Sequence, residues 1–227
     1  MTSIDAGGKT WRPSPQESAA QAEHKSFLDR YYGATARIYD VTRAPYLLGR
    51  DRLLAQLMAE RWKTLVETGC GTGRNLAILH RRRPGRRYAG IEPSTPMRSH
   101  AKERAPFARV DDGFAEDAPY RALLGGPVDR ILFSYSLSMV RDPEEAIAHA
   151  RMSLSVRGEV ACVDFGDLAR VPRALRRSFM RFLDAFHVRP LPRALLARHG
   201  GRVIEGPLGY YRIVRFSSLH LPDGYVG

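Results

Sequence analysis

A strand-like apolar run that ends in three alternating glycines constrains this chain more than any other feature. Thr64-Leu65-Val66-Glu67 is followed directly by Thr68-Gly69-Cys70-Gly71-Thr72-Gly73. A short apolar run of this kind suits a strand buried on both faces of a parallel sheet. In open parallel sheets, ligands bind beyond the carboxyl ends of the strands. Glycines there permit positive φ and let a ligand approach the backbone. The spacing then selects among ligands. A dinucleotide loop needs Gly-x-Gly-x-x-Gly, but here the third glycine comes one residue early and Arg74 follows it. The Gly-Lys-Ser/Thr of a phosphate-binding loop is also absent. A phosphate is therefore not the ligand this loop is spaced for.

The rest of the chain alternates strand and helix signals. Residues 24–61 carry helical apolar spacing, interrupted at Pro45, so two helices precede the glycine loop. After the loop, 74–83 reads as helix, 87–92 as strand, 95–104 as helix with Ser94 at its N-cap, and 107–110 as strand. Residues 128–134 are strongly β in character, and 142–155 opens with Asp142, Pro143, Glu144 and Glu145, a sequence suited to a helix start. A fifth strand follows Gly158 at 159–164, then a helix at 171–186 and two strands at 202–204 and 210–216. This alternation predicts an α/β fold, a doubly wound and mostly parallel seven-stranded sheet. The last two strands have only a short link through Pro207 and Gly209, so at least one of them should be antiparallel. Residues 1–22, small and polar, read as a mobile N-terminal tail. Residues 23–227 read as one domain: helices covering the site at 23–61, a cofactor-binding core at 63–164 and a basic part at 165–227.

Glu92 lies 19 residues after Gly73, at the end of the second predicted strand. An acid there can accept hydrogen bonds from both hydroxyls of a ribose. S-adenosylmethionine has that ribose, carries no phosphate, and has an amino-carboxylate that can lie over the glycine turn. The segments 66–76 and 90–97 resemble the first two motifs of class I S-adenosylmethionine-dependent methyltransferases, and similarity in general order extends over 63–164. The resemblance implies a Rossmann-like methyltransferase fold. It places the methionine moiety on Glu67, Gly69, Cys70, Gly71, Gly73 and Asn75, the ribose on Glu92, and the adenosine beside Pro93 and Met97. The third motif departs from the family's Gly-Asp-Ala: here it reads Gly113-Phe114-Ala115-Glu116, so Phe114 and the Ala115 N–H stand in at the adenine, with Asp112 as the lesser choice. Ser134, Tyr135 and Ser136 fall beside the reacting sulfonium.

A narrower resemblance rests on Tyr31-Tyr32, the stretch 36–43, Tyr135-Ser136-Leu137-Ser138-Met139, and 163–167 with 186–190. Together with 71–76, these are similar to bacterial methyltransferases of betaine-lipid synthesis. That resemblance implies N-methylation of a diacylglyceryl-homoserine head group. Tyr39 and Arg43 lie one helical turn apart. Arg43 suits a carboxylate, either the cofactor's or the head group's, or else it is a surface charge beside a packed Tyr39. Tyr31, Tyr32 and Tyr135 suit an aromatic wall for an amine becoming quaternary, or ordinary core packing. Tyr135, Asp164 and His187 are the candidates for orienting the acceptor or taking its proton. The alternative function is a soluble small-molecule N- or O-methyltransferase with a small amine or related acceptor.

Charge bears on partners. The chain carries a net +12, and residues 168–227 hold eleven Arg against three acids, a balance of +8. Such a region suits an anionic lipid surface, a nucleic acid or an acidic small molecule; an Arg-rich composition throughout is the plainer explanation. The stretch 171–186 sets Leu175, Phe179, Phe182, Leu183 and Phe186 on one stripe and Arg173, Arg177 and Arg181 on another, the pattern of a helix lying on an anionic membrane or packed on a sheet. The Asp/Asn-Pro-Pro-aromatic motif of base amino-methylation is absent at 134–137, which weighs against nucleic acid. Two cysteines, Cys70 and Cys162, make no disulfide framework, and no Cys/His cluster has metal spacing. The expected setting is cytoplasmic, with peripheral attachment to the inner membrane face if 171–186 meets lipid.

Overall fold

The computed structural model describes residues 3–4, 10–11, 23, 25–26, 29, 47–185 and 188–218. The main sheet has seven strands: β1 (Thr64–Thr68), β2 (Arg87–Ile91), β3 (Arg109–Asp111), β4 (Val128–Ser134), β5 (Leu154–Phe165), β6 (Arg202–Glu205) and β7 (Tyr211–Ser217). Their spatial order is β3-β2-β1-β4-β5-β7-β6. The first five run parallel, and β7 lies antiparallel between β5 and β6. The short link through Pro207–Gly209 becomes a single 3-10 turn, which closes the predicted hairpin. Near the N-terminus, Ser3–Ile4 pairs antiparallel with Thr10–Trp11.

The helices are α1 (Arg50–Ala59), α2 (Arg74–Arg82), α3 (Thr95–Arg104), α4 (Tyr120–Leu124), α5 (Pro143–Met152), α6 (Arg173–Ala185) and α7 (Arg193–Arg198). They cover both faces of the sheet. On one face Leu54, Leu57, Leu76, Leu79, Ala101 and Leu183 pack on Leu65, Leu132 and Val163. On the other, Leu123, Ile147, Ala150 and Leu196 pack on Val66, Ile131 and Val160. Alternate residues of each strand thus serve opposite layers.

Some boundaries differ from the sequence reading. β5 begins at Leu154, not residue 159, because Leu154 pairs with Val128 before a register shift ahead of Arg130. Helix α5 accordingly ends at Met152 rather than 155. Its N-cap is as read: Asp142 accepts from the N–H groups of Glu144 and Glu145. Helices α4 and α7, five and six residues long, are too short to show a periodic stripe and were not predicted. Ser94 occupies the N-cap of α3 but makes no side-chain cap bond. Asp29 does that work from 66 residues away, its carboxylate accepting from Thr95 N–H at 2.7 Å. Glu23, Lys25, Ser26 and Asp29 are helical.

At the opposite edge from the glycine loop, Asp129 ties three strand starts together. Its carboxylate accepts from Lys63 N–H at 2.7 Å, Thr64 N–H at 3.3 Å and Ser155 hydroxyl at 2.7 Å. Partial burial pushes its pKa up, but these donors outweigh that and hold it below the ordinary value of 3.8. The stabilisation is therefore present above pH 3.8 and is lost as the pH falls through the lower folded value. Asp129→Ala should lower unfolding stability by about 1–3 kcal/mol in a denaturant titration at neutral pH. The deficit should shrink in strong acid.

Candidate active site

The carboxyl ends of β1, β2 and β4 border an open cavity of about 1170 Å³, counting the space at its mouth. The chain enters it by one sharp manoeuvre. After β1 the N–H groups of Gly69 and Cys70 both donate to Ile91 carbonyl, at 2.8 and 3.0 Å. Gly69 has φ +67°, and a Cβ there would lie 2.5 Å from the Cβ of Ser136. Ser136 in turn donates its hydroxyl to Thr68 carbonyl at 2.7 Å. The ends of β1 and β4 are thereby closed against each other. Gly71 has φ +55° and no described residue within 4 Å of where its Cβ would be, so its open side forms a cradle.

Glu67, Asn75 and Ser134 line this cavity, each with a buried oxygen lacking a partner among the described residues: Glu67 Oε2, Asn75 Oδ1 and Ser134 Oγ. Asn75 Nδ2 donates to Glu67 Oε1 at 2.6 Å. Burial pushes the Glu67 carboxyl up to about 8, opposed by Asn75 and then by the Arg50 guanidinium. Unsatisfied acceptors around a carboxyl that burial keeps protonated call for a cationic donor. The ammonium at the methionine end of S-adenosylmethionine is such a donor. At the end of β2, Glu92 accepts from Gly71 N–H at 2.8 Å and Ser94 N–H at 3.0 Å. Burial outweighs both donors and moves its pKa to about 7. Glu92 lines the cavity, and a hydroxyl is a group its carboxylate can accept from. Pro93, Met97, Phe114 and Ala115 line the same cavity on that side. The residues present therefore fit the cofactor that the sequence motifs imply. When bound, it would supply an activated methyl group on a positively charged sulfur.

Of the residues named from sequence, Cys70, Tyr135 and Ser136 also line the cavity. Gly73 does not: its Cβ position lies 3.1 Å from Ala101 Cα, so it allows α2 and α3 to approach closely. Cys70 is buried among carboxyls, which pushes its thiol well above the usual range and leaves it a packing group. Asp164 corrects an expectation. It is absent from the cavity wall, and its oxygens accept from Ser138 N–H at 2.9 Å and Phe165 N–H at 2.8 Å. Asp164 shares a strand face with Cys162, so it points at the 3-10 turn Leu137–Met139 and positions that turn. Tyr135 departs from the role of proton acceptor. Its hydroxyl donates to Leu48 carbonyl, and burial pushes its pKa far up. What it offers the cavity is its ring, held at φ +57°, a conformation unusual for a side chain of this size. Tyr31, Tyr32, Tyr39, Arg43 and His187 lie outside the described residues.

The sequence reading missed Arg50, Arg74, Thr72, Glu116 and the Met139–Arg141 segment, all in the cavity wall. Arg50 is only 7% exposed and follows Gly49, whose φ of +83° starts helix α1. A Gly just before a helix rich in leucine was the one available signal, and it does not reveal where the arginine points.

Two measurements check this geometry. Gly69→Ala should retain an α/β circular dichroism spectrum yet lose S-adenosylmethionine binding in calorimetry, because Ser136 must shift. For Glu67, the folded pKa is raised, so its contribution to stability is complete below 4.5 and is lost as the pH rises through about 8. An ammonium ligand reverses this by favouring the carboxylate. Cofactor affinity should therefore rise with pH up to about 8, and Glu67→Gln should weaken binding and flatten the rise.

Comparison with known proteins agrees with the geometry. Residues 41–199, more than half of the chain, match the family described as methyltransferase domain. An uncharacterized methyltransferase of Geobacillus thermodenitrificans is 31% identical over 149 residues, 62% of this chain and 67% of that protein. A trans-aconitate 2-methyltransferase of Escherichia coli is 33% identical over 110 residues, 48% of this chain and only 42% of that enzyme. A SAM-dependent methyltransferase of known structure from Thermotoga maritima shares the fold at TM-score 0.63 and 19% identity, covering 86% of this chain and 99% of the other. This chain belongs to the methyltransferase domain family and is an S-adenosylmethionine-dependent methyltransferase.

Proposed function

We propose that the acceptor is the amine of a lipid head group of the diacylglyceryl-homoserine kind, converted to a betaine lipid by in-line methyl transfer. The observation that carries this reading is an aromatic wall running outward from the cavity. Tyr135 lines the cavity and meets Phe165 edge-on at 4.7 Å. Phe165 meets Phe179 of helix α6 at 6.1 Å and Tyr210 at 6.0 Å, and those two rings are 5.3 Å apart. Ring faces attract an ammonium that gains methyl groups and can no longer donate hydrogen bonds. The same rings give apolar surface on the way to α6, which suits an acceptor bearing acyl chains.

Within this proposal each residue has a limited task. Tyr135 contributes a ring face and shields the reacting centre from water. Ser136 and Gly69 fix the floor against which the acceptor is aligned. Asp164 holds the 3-10 turn that forms the adjoining wall.

A second reading has its own support. Arg50, Arg74 and Arg141 give the cavity wall three cations, and a relative at 33% identity is named for trans-aconitate, a polycarboxylate. A soluble carboxylate-bearing acceptor would use those charges directly. Radiolabelled methyl transfer to mixed micelles of the homoserine lipid, to free homoserine, to small amines and to trans-aconitate separates the two. Transfer to the lipid, at least tenfold faster than to free homoserine, is the expected outcome. Transfer confined to soluble acceptors would sink the lipid proposal.

A further inference from the structure

Helix α6 leaves most of its surface in solvent. Leu183 is buried and Phe179 and Met180 are half-buried, but the other described side chains of the helix are exposed. On a helical wheel Leu175 and Phe182 share one line, seven residues apart, at 65% and 44% exposure. Phe182 also meets Phe179 in a tilted ring contact, with centroids 6.0 Å apart, so the exposed apolar line continues into the packed one. Arg173, Arg177 and Arg181 form a second line, separated from the first by Ala174 and Ser178. Arg170 and Arg176 add charge at the start of the helix, and all five arginines are exposed. None of the five forms an ion pair with a described residue, whereas nearby Arg193 and Arg212 are both engaged by Asp167. Asp184 is the one acid on the helix.

We infer that the outer face of α6 is a docking surface for an anionic lipid membrane. Charge and apolarity decide jointly. Five guanidinium groups with no ion pair among the described residues seek phosphate-bearing partners, and flexible Arg stems let the charge sit at head-group level while neighbouring side chains go deeper. A soluble polyanion would use the arginines but leave Leu175 in water. Only an interface with an apolar layer beneath an anionic one employs both lines. Among the described residues no helix is long and apolar enough to cross a membrane, so the attachment is peripheral. Docking here would bring the aromatic wall, through Phe179, to the membrane surface. The docking itself does not depend on which molecule is methylated.

The experiment is co-sedimentation of the full chain with vesicles of phosphatidylcholine alone and of equal parts phosphatidylcholine and phosphatidylglycerol. Neither contains a homoserine head group, so docking and acceptor choice can fail separately. Binding is expected to the mixed vesicles alone, weakening sharply as salt rises from about 0.05 to about 0.5 M. Replacing Arg173, Arg177 and Arg181 by Gln should weaken it about a hundredfold, or about fivefold per charge. Leu175→Ser should weaken vesicle binding about tenfold and leave binding to heparin, a soluble polyanion, unchanged. Calorimetric binding of S-adenosylmethionine should be intact in every variant, which certifies the fold. No binding to mixed vesicles, equal binding to neutral ones, or vesicle binding indifferent to Leu175→Ser would each overturn the inference. The last outcome would make the helix a general polyanion site.

Discussion

Two hydrogen bonds to one oxygen hold this site in place. Gly69 and Cys70 both donate to the carbonyl of Ile91, so the chain leaving β1 is bound to the end of β2 at the moment it turns away from the sheet. On its other side Ser136 presses against Gly69 and bonds Thr68 carbonyl. β1 lies inside the sheet, between β2 and β4. The floor of the site comes from the ends of these three strands and the turns that follow them, and Arg50, Asn75, Met97 and Phe114 complete its wall from α1, α2, α3 and the turn after β3. A side chain at position 69 would separate β1 from β4, and the floor of the cavity would open.

Around that floor the protein buries three carboxyls and treats each differently. Glu67 has one oxygen satisfied and one left open to the cavity. Glu92 is anchored by two backbone donors and stays on the wall. Asp164 spends its oxygens on the backbone of the neighbouring turn and on Phe165. Burial raises all three, to about 8, about 7 and about 6 respectively. Glu67, with a single donor, is the one that burial leaves hardest to ionise. A cationic ligand thus meets its strongest change in environment at Glu67.

How much of this was legible in the sequence depended on how local the signal was. The glycine spacing, the acid closing β2 and the alternation of strand and helix act within a few residues; the alternation gave the sheet, and the loop and Glu92 line one cavity. Asp164 was misplaced because the reading took its position along β5 but not its parity: its neighbours in sequence, Val163 and Phe165, face the α1 and α6 layer, while Asp164 faces the other. Tyr135 lines the cavity, but its hydroxyl is engaged by Leu48, 87 residues earlier, a partner that no local pattern announces. Arg50 was missed for the same reason. Its importance comes from a helix folding over the strand ends, which no local pattern encodes. The 171–186 stripe was read correctly as amphipathic, yet only the packing reveals that half of its apolar side stays outside.

The cap on α3 carries a consequence for how the molecule is made. Asp29 leaves the ribosome well before Thr95, and its partner does not exist until β1, α2 and β2 have been synthesised. Closing a loop of 66 residues for one charged contact is entropically costly, so it must follow, rather than seed, the formation of the sheet. The Asp29 contact is therefore a late one. Lys25 seats beside it, on Asp112 past the end of β3. The cavity wall beside Pro93 and Met97 is accordingly fastened by contacts that can close only once β1, α2 and β2 are in place.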